Sequence, residues 1–230
     1  MENITKENIY IVIPAYNEGA VIGEVVQGVR QNGYEKIIVV DDGSIDGTFD
    51  AAVMAGAIVL RHRINRGKGA AVKTGLVAAK NMDATAVVTI DGDGQHDARD
   101  IELVISPLLF EGKDVVLGTR MFATKNISLY KIVANRIANL LIRILTGIWV
   151  SDSQSGFRAF DAKALRLLFD VGDRYEYDSE IIRQIARNGL KYKEVPIRVY
   201  YTEYSTNKMQ KQGIINGVKT FYRLVWNIIS

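Results

Sequence analysis

The chain has 230 residues and a formal net charge of +3, with 48% hydrophobic and 24% charged residues. This composition is ordinary for a soluble globular protein, and the length fits one large domain with a sizeable core. Because there is no cysteine and there are only two histidines, disulfides, thiolate metal sites and multi-histidine metal centres are excluded. No signal peptide is visible in the sequence and there is no uninterrupted apolar run of about 18 residues, so we expect no leader, a cytoplasmic setting and no transmembrane span.

The first 120 residues alternate short β-branched runs with helical patterns. The runs predict five strands, at Ile9–Ile13, Lys36–Val40, Ala57–Leu60, Ala86–Ile90 and Val115–Leu117. The intervening patterns predict four helices, at Ala20–Gln31, Phe49–Ala55, Ala70–Asn81 and Arg99–Phe110. Alternation of this kind is typical of an α/β fold with a mostly parallel central sheet and helices on both faces.

After about residue 120 the pattern changes to long amphipathic helices, with a short strand pair predicted around Lys191–Tyr201. No Pro-, Gly- or Ser-rich linker divides the chain, so we interpret residues 1–230 as a single domain with halves 1–120 and 121–230. The segment 187–223 is rich in Lys and Arg, which is usually a sign of solvated surface. We expect no nucleic-acid partner.

The most informative stretch is the predicted strand that ends at Ile90 and the polar residues that follow it, among them Asp91, Asp93 and Gln95. Open α/β sheets bind ligands just beyond the carboxyl ends of their strands. Oxygen ligands clustered there suit a hard divalent cation such as Mg²⁺ or Mn²⁺. A cation held by two or three protein oxygens keeps positions open for phosphate. The stretch therefore predicts a metal–diphosphate site with Asp91, Asp93 and Gln95 as ligands.

Three other interpretations of this stretch were weighed. An Asp- and Gly-rich loop after a strand is often only a turn with Asx hydrogen bonds. An EF-hand loop from Asp91 to Glu102 fails, because His96 stands where the sharp turn needs glycine and a strand precedes it. An aspartyl-phosphate phosphatase could also place Asp-x-Asp-Gly after a strand, but such sites usually open the chain.

Other predicted strand ends also carry polar groups. Pro14–Glu18 follows the first strand, and Asp41–Thr48 follows the second. Carboxylates there could accept hydrogen bonds from a ribose or a base, and Pro14 or Tyr16 could pack on a base. Helix capping is an equally good explanation of Asp46 and Thr48, although it does not explain the paired Asp41 and Asp42.

Asn65–Gly69 opens the third predicted helix, where backbone NH groups, the helix dipole and Lys68 form a plausible anion cradle. It is not a Walker loop, because Lys68 is followed by Gly69 rather than Ser or Thr. A Rossmann fingerprint is excluded as well, since the first strand is not followed by Gly-x-Gly-x-x-Gly.

Taken in order, these segments resemble the motifs of family 2 glycosyltransferases of GT-A fold. They are Pro14–Glu18, Asp41–Thr48, Asn65–Gly69, Asp91–Gln95 and Gly118–Arg120. The further match Ser155-Gly156-Phe157-Arg158 narrows the resemblance to the dolichol-phosphate mannose synthase-like group. The resemblance covers essentially the whole chain. It implies a nucleotide-diphospho-sugar transferase fold and inverting, metal-assisted transfer of a sugar to a dolichyl or polyprenyl phosphate.

The resemblance also implies roles for individual residues. The nucleoside of the donor would be held by Pro14, Tyr16, Glu18, Val40 and Asp42. The rest of the nucleotide-sugar site would comprise Lys68, Asp91, Gly92, Asp93, Arg120 and Lys208. The residues with catalytic roles would be Asp93, Arg120 and Arg158, the two arginines facing the phosphate of the acceptor lipid.

Near Lys208 the chain departs from the family pattern. Thr202 stands where the family commonly has an arginine, and Arg198, four residues earlier, could substitute for it. The departure leaves the donor open among GDP-mannose, UDP-glucose and UDP-N-acetylglucosamine.

The expected mechanism follows from charge. A phosphomonoester has a second pKa of about 6 and is largely dianionic at neutral pH, so it needs no dedicated general base. Bidentate Arg120 and Arg158 would offset the repulsion between two anionic substrates. If the acceptor were instead a hydroxyl of a glycan, Asp152 would be the base; an ion-pair or capping role for Asp152 is the other interpretation.

Two other functions are less well supported, a non-catalytic nucleotide-sugar binding module and a nucleotidyltransferase. The second is disfavoured because no Gly-rich loop follows the first strand.

A lipid acceptor would give the amphipathic segments 132–150 and 213–229 a role at a membrane surface, although most such helices cover a core. Members of this group often continue into transmembrane helices, whereas no transmembrane span is predicted in this sequence. We therefore expect a peripheral protein on the cytoplasmic face of the membrane, with a membrane protein as a possible partner.

Overall fold

The structure is a computed structural model that describes residues 8–120, 146–168 and 177–200, together with residues 140, 143 and 144. The chain divides into two compact units, Met1–Val199 and Tyr200–Ser230, and the architecture below is that of the first. Among the described residues, no helix is long and apolar enough to cross a membrane. The prediction that residues 1–230 form a single domain stays a prediction.

Seven strands of the described ranges form one sheet in the order β3-β2-β1-β4-β6-β5-β7. Every pairing is parallel except those of β6, which runs antiparallel between β4 and β5. The strands are β1 Ile9–Ala15, β2 Ile37–Asp41, β3 Ile58–Arg61, β4 Ala86–Thr89, β5 Val115–Thr119, β6 Arg158–Asp161 and β7 Tyr192–Pro196.

Helices cover both faces of the sheet. They are α1 Ile22–Gln31, α2 Thr48–Met54, α3 Lys68–Asn81, α4 Ile101–Phe110, α5 Ala162–Leu168 and α6 Tyr177–Arg187. Apolar residues of α1, α2 and α4 pack on one face, and those of α3, α5 and α6 pack on the other. Strands β1, β2, β4 and β5 are therefore buried throughout, which explains their continuous apolar runs. The predicted α/β class and its mostly parallel sheet are confirmed.

The predicted elements of the first 120 residues are all present, with ends shifted by one or two residues. The fourth helix differs most, because a 3-10 turn at Ala98–Asp100 precedes α4. The side chain of Asp97 accepts a hydrogen bond from the backbone of Arg99 and so begins that turn.

The second half corrects two expectations. The strand pair predicted around Lys191–Tyr201 is wrong, because the described part of that segment contains one strand, β7, which pairs in parallel with β5. Strand β6 was not predicted at all. It begins at Arg158 inside the Ser155–Arg158 motif, and its pairing is decided by strands that lie far from it in the sequence.

The topology brings the ends of several strands to one edge of the sheet. Ala15 at the end of β1 pairs with Asp41 at the end of β2. Arg158 at the start of β6 lies between Thr89 of β4 and Leu117 of β5. The loops that follow β1, β2, β4 and β5 therefore meet at this edge, together with the chain that enters β6.

Candidate active site

The loops that follow β1 and β2 are joined by hydrogen bonds. The backbone NH groups of Asn17 and Glu18 donate to the hydroxyls of Ser44 and Thr48, at 2.9 and 2.8 Å. In return, the Asn17 side chain accepts from the backbone of the second loop at Ile45, at 3.0 Å. Asn17 has φ +53°, a conformation that asparagine tolerates better than most residues. The two loops thus form one rigid surface at the predicted nucleoside end.

The side chain of Asp46 accepts from the backbone NH of Thr48 at 3.0 Å and from that of Gly19 at 3.0 Å. Asp46 therefore binds the first backbone NH of α2, whose N-cap residue is Gly47, and also links the helix to the first loop. The capping interpretation of Asp46 is supported by these contacts.

Paired Asp41 and Asp42 have different neighbours. Asp41 is fully buried, accepts from the backbone of Ser44 at 2.9 Å and lies 3.1 Å from the Arg61 guanidinium. The paired carboxylates were predicted to face a ribose or a base. For Asp41 this is wrong, because its side chain is enclosed by the turn that follows β2.

Asp42 holds the loop that carries Lys68. Its two carboxylate oxygens accept from the backbone NH groups of Arg66 and Gly67, at 2.9 and 2.7 Å. The Nδ1 atom of His62 lies 2.7 Å from one of these oxygens, and Nε2 of the same ring lies 3.0 Å from the Thr74 hydroxyl. Asp42 is only 2% exposed, and three of the about four acceptor positions of its carboxylate are occupied, so its contact with a nucleoside stays a prediction.

Gly43 allows the loop after β2 to contact the loop before α3. It has φ +74°, and a Cβ atom there would lie 2.7 Å from the carbonyl carbon of Ile64. Beside it is an open cavity of about 450 Å³, which is lined by Gly43, Ser44, Ile45, Arg61, His62 and Arg63.

The other predicted nucleoside residues lie at the same edge. Tyr16 is exposed, whereas Pro14 and Glu18 are buried. The Val40 side chain packs in the core between the sheet and α3, so Val40 can offer a nucleoside only its backbone. Contact between these residues and a nucleoside stays a prediction.

Asp91 lies just beyond β4 and is paired with two basic side chains. One of its oxygens is 2.6 Å from the Lys68 ammonium, and the other is 3.4 Å from Nε2 of His96. Burial would raise the pKa of Asp91, but Lys68 and His96 outweigh it and hold that pKa well below its usual range. Lys68, which is predicted as a phosphate ligand, is thus held in an ion pair that no sequence motif indicates.

Asp93 is held by Gln95, whose backbone NH and side-chain amide donate to its two oxygens at 3.0 and 2.9 Å. Burial and then the neighbouring charge of Asp91 raise the pKa of Asp93. Two carboxylates that disfavour each other's ionisation are stabilised when a cation lies between them. No group of three or more His, Cys, Asp or Glu side chains that could hold a metal occurs in the described ranges. A Mg²⁺ or Mn²⁺ ion fits nonetheless, since such ions use one or two carboxylates together with substrate phosphates and water.

Gly156 of the Ser155–Arg158 motif backs the Asp91–Lys68 ion pair. A Cβ atom at Gly156 would lie 2.4 Å from Oδ1 of Asp91 and 2.6 Å from Nζ of Lys68. The Thr89 hydroxyl donates to the Gly156 carbonyl at 2.7 Å and fixes its position. The glycine is therefore required so that the entry to β6 can approach the acidic loop, which we define as residues 91–97.

We expect Gly156→Ala to weaken binding of a nucleoside diphosphate with Mn²⁺ by about tenfold or more, equivalent to about 1.4 kcal/mol. The new methyl group must displace Asp91 or Lys68, both of which are side chains at the surface of the site, so the melting temperature should change little. Calorimetric titration measures the affinity. Gly23→Ala in α1 is the control, because its nearest contact would be an ordinary 3.9 Å. Unchanged affinity of the Gly156 variant would contradict this geometry.

Arg120 lies just after β5 and forms a bidentate ion pair with Asp152. Its Nε and Nη2 atoms are 2.6 and 2.8 Å from the two oxygens of Asp152. Burial raises the pKa of Asp152, but the hydrogen bonds and charge of Arg120 outweigh it and leave the pKa below its usual value. The ion-pair interpretation of Asp152 is thus supported, while the Arg120 side chain is 34% exposed.

Arg158 is 1% exposed, at the start of β6. Its Nη2 atom lies 2.8 Å from Oδ1 of Asp178 on α6 and donates to the carbonyl of Ser153 at 2.8 Å. The predicted contact of Arg158 with an acceptor phosphate stays a prediction, and these contacts give it a structural role beneath the site. Asp178 is a charged neighbour that the sequence analysis did not single out.

The contacts of Arg198 do not support the role expected of it. Its backbone NH donates to Asp100 at 2.6 Å, and its guanidinium pairs with Asp100 and with Asp97. A β-bridge between His96 and Val199 lies beside these contacts. The expectation that Arg198 substitutes for the arginine missing at Thr202 is therefore not supported, because Arg198 joins the acidic loop to the chain after β7. Thr202, Lys208 and the segment 213–229 lie outside the described residues.

Comparison with known proteins identifies the family to which the chain belongs. Residues 10–169 match the model of glycosyl transferase family 2. An uncharacterised protein of Methanocaldococcus jannaschii is 42% identical over 98% of this chain and 94% of its own length. A UDP-N-acetylglucosamine–dolichyl-phosphate N-acetylglucosaminyltransferase of Methanococcus voltae is 38% identical, with 94% of each chain covered. Among solved structures, glucosyl-3-phosphoglycerate synthase of Mycobacterium tuberculosis is similar at a TM-score of 0.63 and 26% identity, over 85% of this chain and 73% of that one. The chain therefore belongs to glycosyl transferase family 2 and is a nucleotide-sugar glycosyltransferase of GT-A fold.

Proposed function

We propose that this enzyme transfers a sugar from a nucleotide diphosphate donor to a polyprenyl phosphate such as dolichyl phosphate, assisted by Mg²⁺ or Mn²⁺. The main observation in support of this proposal is that Asp152 is buried and forms an ion pair with Arg120. A carboxylate that is buried, paired with Arg120 and lowered in pKa is a poor general base. A hydroxyl acceptor needs such a base, whereas a phosphate dianion does not.

The donor would lie along the edge of the sheet. Pro14, Tyr16, Glu18, Asp42 and the backbone of Val40 would hold the nucleoside. The cation would be held by Asp91, Asp93 and the side-chain oxygen of Gln95, whose backbone NH and side-chain amide also hold Asp93 in position. When bound, such a cation stabilises the negative charge of the leaving nucleoside diphosphate.

The acceptor phosphate would meet the exposed part of the Arg120 side chain. The guanidinium offers planar, bidentate recognition of phosphate and offsets the repulsion between two anionic substrates. Attack by a phosphate oxygen from the face opposite the leaving group would invert the anomeric centre.

The relative from Methanococcus voltae is named for transfer of N-acetylglucosamine from UDP to dolichyl phosphate. We therefore place UDP-N-acetylglucosamine first among the donors, ahead of UDP-glucose and GDP-mannose. Because the acceptor is a lipid, we also place the enzyme at the cytoplasmic face of a membrane, where a membrane protein would be a possible partner.

The proposal is tested by incubating the purified protein with each of these three nucleotide sugars, a polyprenyl phosphate and Mn²⁺ or Mg²⁺. The expected product is a polyprenyl-phosphate sugar identified by mass spectrometry, formed from one donor far faster than from the others and lost when a chelator is added. Thermal stabilisation by UDP but not GDP would identify the base independently. Transfer to a glycan hydroxyl, with none to polyprenyl phosphate, would overturn the assignment of the acceptor.

A further inference from the structure

The ion pair between Lys68 and Asp91 occupies a carboxylate that the proposed function assigns to a divalent cation. The ammonium is 2.6 Å from Oδ1 of Asp91, and the Lys68 side chain is 43% exposed. Lys68 is thus held at the acidic loop while one side of it remains accessible from solvent. A single positive charge lies where a doubly charged ion is expected to act.

The position of Lys68 indicates that this pairing is built into the site. Lys68 is the first residue of α3, where the helix dipole disfavours a positive charge. Asp91 compensates for this cost, because one of its carboxylate oxygens lies 2.6 Å from the Lys68 ammonium. Gly156 lies directly against both members of the pair, so the entry to β6 is shaped to accommodate them.

We propose that Lys68 is an internal counter-cation, which neutralises Asp91 until the metal and the nucleotide bind together and then moves to the diphosphate. This inference rests on the proposed metal–diphosphate site and adds an order of events to it. With Lys68 in place, the group formed by Lys68, Asp91 and Asp93 carries one net negative charge, whereas the two carboxylates alone would carry two. A free divalent ion is then attracted weakly, because it must compete with the ammonium for Asp91.

The nucleoside diphosphate removes this competition. Its phosphates supply further ligands for the metal and a new anionic partner for Lys68. Metal and nucleotide should therefore each raise the affinity of the other, by the same factor, as thermodynamic linkage requires. Removal of the Lys68 charge should separate the two effects, strengthening the binding of metal alone and weakening the binding of nucleotide.

The test is a titration of the purified protein with Mn²⁺ alone, followed by electron paramagnetic resonance, and then with UDP or GDP at saturating Mn²⁺, followed by calorimetry. Lys68→Met keeps most of the length of the unbranched side chain and removes its charge. We expect Lys68→Met to bind Mn²⁺ alone about tenfold more tightly than the parent protein, and the nucleoside diphosphate about tenfold more weakly.

Lys193→Met is the matched control. Lys193 is also paired at 2.6 Å with a carboxylate, that of Glu111, and is 41% exposed, but it lies beside Val116 near the start of β5, at the far end of the sheet. This variant should bind Mn²⁺ and nucleotide like the parent protein. An unchanged or weaker affinity of Lys68→Met for Mn²⁺ alone would overturn the counter-cation role.

If the proposed metal–diphosphate site is itself wrong, the titrations give a different result. If the parent protein binds no Mn²⁺ even with saturating UDP or GDP, the metal site itself is wrong and the counter-cation role is overturned with it. If the parent protein binds Mn²⁺ with nucleotide and Lys68→Met does so with the same affinities, only the role of Lys68 is overturned.

Discussion

Asp93→Asn should lower the turnover number by about two to three orders of magnitude. The substitution keeps the size of the side chain and removes one of the two charges that would hold the cation. Stabilisation of a leaving diphosphate by a bound metal contributes several kcal/mol, and each 1.4 kcal/mol lost from the transition state lowers the rate about tenfold. Initial rates of sugar transfer at saturating donor and acceptor measure the effect across a range of Mn²⁺ concentrations.

The fold should survive this change. Asp93 accepts two hydrogen bonds from Gln95, and an asparagine side chain can accept only on its oxygen. The loss of one such bond costs about 1 kcal/mol, which the melting temperature without metal would report. Asp50→Asn, on the exposed side of α2, removes the same charge away from the site and should leave the rate unchanged. Near-full turnover of Asp93→Asn in chelator-treated buffer would exclude Asp93 as a metal ligand.

Arg120→Ala should raise the KM for polyprenyl phosphate by about tenfold or more, with a much smaller effect on the KM for the nucleotide sugar. A charge-assisted hydrogen bond to a phosphate contributes about 1.5–3 kcal/mol, which corresponds to a tenfold to hundredfold change in affinity. Steady-state kinetics with each substrate varied separately distinguishes the two constants. Equal increases in both would place Arg120 on the donor side or give it a structural role.

The variant Asp152→Asn shows how much of the effect of Arg120→Ala comes from loss of the ion pair and how much from loss of contact with the acceptor. Arg120→Ala also leaves Asp152 buried without its partner, so part of its effect would be destabilisation. Asp152→Asn removes the same ion pair but keeps the guanidinium, so it should retain the affinity for lipid phosphate. It also tests the alternative chemistry, because loss of turnover in Asp152→Asn with an unchanged melting temperature would identify Asp152 as a base for a hydroxyl acceptor.

The alternating half of the fold could be predicted from the sequence because its signals are local. Strands β1, β2 and β4 are buried on both sides, so each appears in the sequence as an uninterrupted apolar run. Asp91 and Asp93 could be placed at the site for the same reason. They follow a strand directly, and in a parallel sheet the ends of strands meet at one edge.

Long-range pairing explains what could not be predicted. Strand β6 is four residues long and begins with an arginine, so no periodicity marks it. Its place between β4 and β5 depends on residues about 40 to 75 positions away. Strand β7 pairs with β5 rather than with a neighbour in the sequence.

The partners of the charged side chains in the site also could not be predicted from the sequence. Residue types predicted that Lys68 and Asp42 would bind a substrate, and the family resemblance implied the same for Arg120. The tertiary structure decided which protein groups they contact: Asp91 for Lys68, Asp152 for Arg120, and the backbone of Arg66 and Gly67 for Asp42.

The sequence by itself determined the fold class, the family and the acidic loop after β4, since hydrophobic period and motif order are properties of contiguous residues. Only the tertiary structure decided that Gly156 touches the Asp91–Lys68 pair and that Arg158 is buried against Asp178. The physical reason is that ion pairing and steric contact act over a few ångströms in space. They therefore depend on how distant segments pack and leave no regular pattern along the chain.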